Sequence, residues 1–141
     1  MSFRRRALSS AVVVGPGLVL AALWVPWART GAVTRSAFGL VAALRSAGLL
    51  HGAPARALFA VVALVPGLTA ATWVLWAARY RRAAAATAVV AGALVAGASL
   101  AVRTAAADVA APSLTWATVA AVGCIAPGAL VLVTDHRKAV A

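Results

Sequence analysis

Four stretches of about twenty residues each carry no charged side chain: Ala7–Trp27, Ala57–Ala78, Ala83–Val102 and Leu114–Thr134. A helix rises about 1.5 Å per residue, so each stretch can cross the roughly 30 Å hydrocarbon core of a bilayer. Together they make up most of a chain of 141 residues. The pattern predicts an all-α, polytopic membrane protein: a single domain of four transmembrane helices, with an outer loop over residues 28–56. The composition agrees. Hydrophobic residues are 65% of the chain and charged residues 11%, against about 45–50% and about 25% in soluble domains.

The charge balance needs that context. Thirteen basic residues face only Asp108 and Asp135, a net charge of +11. In a soluble protein such an excess would suggest nucleic acid. Here the arginines lie between apolar spans, so the expected partners are anionic lipid headgroups, and nucleic acid is not among them. Arg4, Arg5 and Arg6 precede the first span, Arg79, Arg81 and Arg82 crowd the turn between the second and third, and Arg137 and Lys138 follow the fourth. These clusters sit in short segments, where positive charge weighs most on orientation. They predict both termini on the cytoplasmic side of a bacterial plasma membrane. The first span is read as an uncleaved anchor. Its apolar run exceeds that of a signal peptide, and bulky Trp24-Val25-Pro26-Trp27 stands where a peptidase needs small residues.

All five tryptophans fall near span ends, at Trp24, Trp27, Trp73, Trp76 and Trp116, the depth that indole prefers. The third span is mostly Ala, Val and Gly. Its rows Ala84, Ala88, Gly92, Ala96 and Ala85, Val89, Ala93, Gly97 repeat every four residues, a spacing that lets backbones approach closely. It is expected to be the most protein-enclosed helix. Pro16, Pro66 and Pro127 each lack an N–H, which frees the carbonyls of Val12, Val62 and Gly123. PGLVLAALWVPWAR in the first span and PGLTAATWVLWAAR in the second share a faint pattern, attributed to common needs for interfacial Trp and Arg rather than to an inverted repeat.

The loop of residues 28–56 is too long for a simple turn and should hold structure of its own. Between Thr34 and Leu50, the residues Ala37, Leu40, Val41, Leu44 and Ala47 share one helical face. The spacing predicts a short amphipathic helix, capped by Thr34 or Ser36 and ended by Gly48 and Gly52. Arg29, Arg35, Arg45 and Arg56 stand in or beside it with no acid between residues 28 and 56. These four are the candidate contacts for a lipid or other anion, with Arg29 and Arg35 the expected pair, because a guanidinium binds phosphate through two hydrogen bonds.

Within this segment, Trp24, Pro26, Trp27, Arg29, Gly31, Arg35 and Ser36 carry a resemblance. Residues 26–50 resemble the corresponding region of small, uncharacterised four-span integral membrane proteins of actinobacteria. The resemblance implies a four-helix membrane fold and no activity.

Catalytic chemistry finds little purchase. In this topology Asp108 and Asp135 lie on opposite sides of the membrane and cannot act as a pair. His51 and Asp108 share a side, but two ligands rarely hold a metal. Asp135-His136 reads as a solvated tail, and Cys124 as a packed thiol within its span. No span contains an ionisable acid or base of the kind that ion-coupled transport needs. The expected role is a non-catalytic structural or accessory subunit of a membrane assembly, with no cofactor or metal, associating with other membrane subunits or with itself. The alternative is lipid or anion binding through the outer arginines.

Overall fold

The computed structural model describes residues 3–46, 53–105 and 110–140. In chain order the elements are α1 (Phe3–Ala22), β1 (Pro26–Thr30), β2 (Val33–Ser36), α2 (Ala37–Ser46), α3 (Ala53–Ala77), α4 (Arg81–Ala105) and α5 (Leu114–Val140). The four long helices form an antiparallel bundle. Among the described residues, three segments are long and apolar enough to cross a membrane: Leu58–Ala77, Arg81–Thr104 and Leu114–Thr134. The described apolar part of α1, Ser10–Ala22, is shorter.

The first expected span therefore needs correction. Its helix ends at Ala22, and the last residues of the stretch enter a β-strand. From Ala7 to Ala22 the helix covers about 24 Å, and Leu23–Val25 form the turn that follows. The chain is mostly helical, as expected, with one small hairpin added to the helices. The two strands form a small antiparallel hairpin in which Thr30 pairs with Val33, Arg29 with Thr34 and Ala28 with Arg35, with an irregularity between Pro26 and Ala28. Gly31 and Ala32 make the two-residue turn. Gly31 has φ 60° while Ala32 stays at negative φ, the pattern of a type II′ turn with glycine at its first central position. Of the two expected caps, Thr34 lies within strand β2 and Ser36 is the one at the helix start. Helix α2 begins at Ala37, where the Ser36 Oγ accepts the Gly39 N–H at 3.3 Å. Ala37 and Val41 are buried, and α2 packs on α3 and the hairpin. Gly48 and Gly52 lie outside the described residues.

The hairpin docks into the bundle end. Trp27 and Ala28 are buried, Trp27 completely. The Trp27 Nε1–H donates to the Ala22 carbonyl at 2.9 Å, giving a partner to one of the acceptors left open at a helix end. The Trp27 carbonyl accepts the Ala111 N–H at 3.1 Å, and Ala28 bridges to Ala110. The Ser113 hydroxyl donates to the Pro26 carbonyl at 2.7 Å. The end of α1 is thus tied to the start of α5. Trp27 is core, not interface as the sequence pattern suggests. Trp24 and Trp116 are largely exposed, and Trp24 packs on Phe38 with ring centroids 5.0 Å apart.

Helix α4 is the most enclosed of the three long apolar segments, with 44% of its apolar window buried against 28% for α3 and 22% for α5. Ala84, Ala88 and Gly92 are buried, and so is Ala85 at the head of the second row, whose Ala93 and Gly97 turn outward. A Cβ added at Gly92 would meet Ile125 Cγ1 at 2.7 Å and the Ala121 carbonyl at 2.9 Å; one at Gly128 would meet Val89 Cγ2 at 2.7 Å and the Ala85 carbonyl at 3.0 Å. These two glycines let α4 and α5 close to backbone contact. Between α1 and α5 the same device recurs, with Gly15 set against Cys124.

Interior polar groups link the helices. The hydroxyls of Thr72 (α3) and Thr87 (α4) lie 2.8 Å apart, those of Ser99 (α4) and Thr118 (α5) 3.3 Å apart. The Cys124 thiol donates to the Ala88 carbonyl at 3.1 Å. All three proline-containing helices continue through the proline. Beside Pro16 the acceptor given a partner is Val13, one residue beyond the expected Val12: its carbonyl accepts Trp73 Nε1–H at 2.9 Å, while Thr69 donates to the Pro16 carbonyl at 3.4 Å.

The outer faces are apolar. Val14, Leu18, Phe59, Leu64, Val74, Val90, Val119, Val122 and Leu130 are about half exposed or more. So much exposed aliphatic surface is foreign to a water-soluble monomer and ordinary where the solvent is lipid.

Candidate lipid- and anion-contact surface

The four candidate arginines all gather at the hairpin end of the bundle, but not at one point. In an antiparallel pair, directly opposed residues share a face and successive residues alternate. Arg29 opposes exposed Thr34, and Arg35 opposes buried Ala28. The two guanidinium-bearing side chains therefore leave opposite faces of the hairpin, which corrects the expected pairing of Arg29 with Arg35. Nor does Arg35 share a helix with Arg45, since it is on β2. Arg29 is exposed, and its Nε–H donates to the Gly31 carbonyl at 3.3 Å, folding the side chain over the turn. Arg35 is half-buried.

Arg45 and Arg56 are exposed near the end of α2 and the start of α3. Arg103, at the same end of the bundle, is fixed more firmly. Its Nη2–H donates to the Thr115 Oγ1 at 2.9 Å, joining the end of α4 to the start of α5. Arg45 and Arg103 both occupy last helical turns, where a cation also offsets the partial negative charge of the helix end. This surface is a scatter of single cations around the bundle end. It suits several separate contacts with phosphates and carboxylates better than one chelating grip.

The opposite end carries a denser cluster. The α3–α4 connection is Ala78-Arg79-Tyr80, and Arg79 adopts φ 66°. The Tyr80 N–H bonds to the Leu75 carbonyl at 2.8 Å and the Arg79 N–H to the Trp76 carbonyl at 3.0 Å. That pair of bonds is a Schellman motif with Arg79 at the left-handed position. Glycine is the usual occupant. A residue with a Cβ costs on the order of 1 kcal/mol more there. The Arg81 guanidinium stacks over the Trp76 ring, 5.6 Å from its centroid, a cation–π contact. The sequence displayed this cluster openly but gave no sign of the left-handed backbone at Arg79.

Among the described residues, no three His, Cys, Asp or Glu side chains come together as a metal site would require. His51 and Asp108 lie outside the described residues. No protein-family model, curated protein or solved structure matches the chain.

Proposed function

We propose that this chain is an integral protein of a bacterial plasma membrane, of the small four-span kind it resembles, with both termini cytoplasmic, and that it serves as a non-catalytic structural or accessory subunit of a membrane assembly. One observation carries the reading: the polar groups of the interior are spent on holding helix to helix, while the outward faces are apolar. Thr72 with Thr87, Ser99 with Thr118 and Cys124 with Ala88 all bond across helix pairs. Glycines at backbone contact make the same interfaces close-packed. A body built this way suits presenting a fixed apolar surface to neighbouring subunits or to a second copy. The short α1 is read as a fourth span because it runs beside α5, with Gly15 against Cys124, and the strand that follows it is held through Pro26 to Ser113, just before α5. The antiparallel order puts the amino end of α1, the α3–α4 turn and the carboxyl end of α5 together, which gathers eight basic residues on the side read as cytoplasmic.

A second reading, lipid or anion binding at the hairpin end, is favoured by exposed Arg29, Arg45 and Arg56. Native mass spectrometry in mild detergent separates the two. The first predicts a stoichiometric protein partner or a defined oligomer; the second predicts a lone chain with retained anionic lipid that is lost when Arg29, Arg45 and Arg56 are changed to Gln. A lone chain without either would overturn both. A reporter fused after Ala141 is expected to behave as cytoplasmic, and periplasmic activity there would reverse the orientation.

A further inference from the structure

We propose that the α3–α4 turn is a binding site for a phosphate-bearing anion, and that in a bilayer its ligand is the headgroup of an anionic phospholipid. Arg79, Tyr80, Arg81, Arg82 and Ala83 line a shallow depression of about 430 Å³ at the bundle end. Three guanidinium groups within four residues supply forked donors that match phosphate oxygens. Tyr80 is 66% exposed, and its phenol can add a further donor. Arg81 is steadied by its stacking on Trp76. Its charge is thereby held at the depth where an indole meets the headgroups.

Arg79 adds a separate argument. Its place in the turn is one that glycine fills without strain, and Arg79 holds it at φ 66°. The turn closes through backbone bonds of Arg79 and Tyr80, which a glycine would make equally well. The arginine side chain is therefore unnecessary to the turn, and its charge is the property that distinguishes it. The setting reinforces that charge. α4 begins at Arg81, so the positive end of its peptide dipoles lies here. The helix ends bearing Arg4–Arg6 and Arg137–Lys138 lie at the same end of the bundle, with Asp135 the acid that accompanies them. The hairpin end offers no such cluster, since strand alternation separates Arg29 from Arg35.

The membrane reading enters in the depth of the turn and the source of the phosphate; the clustering of Arg79, Arg81 and Arg82 around one depression stands without it. The test uses the full chain in mild detergent, titrated with phosphatidylglycerol or phosphatidylcholine of equal chain length and followed by native mass spectrometry. Inorganic phosphate is added as a competitor in a parallel series. One phosphatidylglycerol is expected to be retained about tenfold more strongly than phosphatidylcholine. Arg81→Gln with Arg82→Gln is expected to abolish that preference. Displacement by inorganic phosphate would show that a free phosphate suffices; resistance to it would assign the lipid headgroup; either result supports the site. Arg79→Gly guards against misfolding as the explanation. It is expected to raise the melting temperature in phosphatidylcholine, by relieving the left-handed backbone, and to shrink the further rise that phosphatidylglycerol gives. No lipid preference in the wild type, or a preference that survives the Arg81/Arg82 change, would overturn the proposal. The same spectra report protein partners separately, so failure here is distinguishable from failure of the subunit reading.

Discussion

Gly92→Leu is expected to prevent α4 and α5 from closing, and even Gly92→Ala should destabilise the bundle by about 1–3 kcal/mol, the usual range for overpacking. A single added Cβ already meets the Ala121 carbonyl at 2.9 Å and Ile125 at 2.7 Å. The carbonyl belongs to the facing backbone, so relief requires moving a helix rather than turning a side chain. Gly128→Ala should behave alike from the other side, against Val89 and the Ala85 carbonyl. The control is Gly97→Ala. No atom lies within 4 Å of its added Cβ, so it should be neutral or should gain up to about 1 kcal/mol from helix propensity. Interhelical hydrogen bonds in membranes average about 0.6 kcal/mol, so losing the Thr72–Thr87 bond through Thr87→Val should cost less than Gly92→Ala. Thermal melts of the detergent-solubilised variants check this order. Equal stability of the Gly92 and Gly97 variants would mean that small residues here reflect composition alone.

Val122→Arg is the second large effect. Val122 is 57% exposed near the middle of α5, on a face with no protein across from it. If that face meets lipid, arginine should cost about 2.5–3.5 kcal/mol of insertion free energy. Leu100→Arg, equally exposed but a turn from the end of α4, should cost less, because its side chain can reach the headgroups. Glycosylation-mapped insertion assays read both. Equal and small costs would indicate that the exposed aliphatic surface faces water or another protein.

Much of the architecture was legible because hydrocarbon length and charge spacing leave few solutions. Arg79-Tyr80-Arg81-Arg82 marked the tight turn between α3 and α4, and the row Ala84, Ala88, Gly92 marked the face that α4 buries. The second row had the same spacing, yet only its Ala85 and Val89 meet α5, at Gly128, while Ala93 and Gly97 turn outward. Spacing alone cannot say how far along a small-residue row the partner helix follows. The hairpin was missed because Trp24-Val25-Pro26-Trp27 continues an apolar run that length favours as helix. A signal was present: Gly31-Ala32 forms a two-residue turn flanked by β-branched Thr30, Val33 and Thr34. What decided the matter was tertiary. Residues 110–111 supply backbone partners to Trp27 and Ala28, and the Ser113 hydroxyl one to Pro26, all more than eighty positions away. The candidate arginines were legible as a basic group, but their grouping was not, since strand alternation rather than helical spacing governs where Arg29 and Arg35 lie.

The tie between Pro26–Ala28 and Ala110–Ser113 also sets an order of events during biosynthesis. The hairpin emerges early, yet its docking partners arrive with the last helix. Until then the Trp27 carbonyl lacks the Ala111 N–H and the Pro26 carbonyl lacks the Ser113 hydroxyl. Contacts so distant in sequence reward the chain only after the intervening loop entropy has been overcome. A nascent chain ending at α4 holds α1 without this clasp, and the arrival of α5 both fills the groove beside α1 and locks the hairpin. The last helix is therefore the latch of the molecule, and a ribosome that stops short of it leaves a membrane intermediate for quality-control proteases to find.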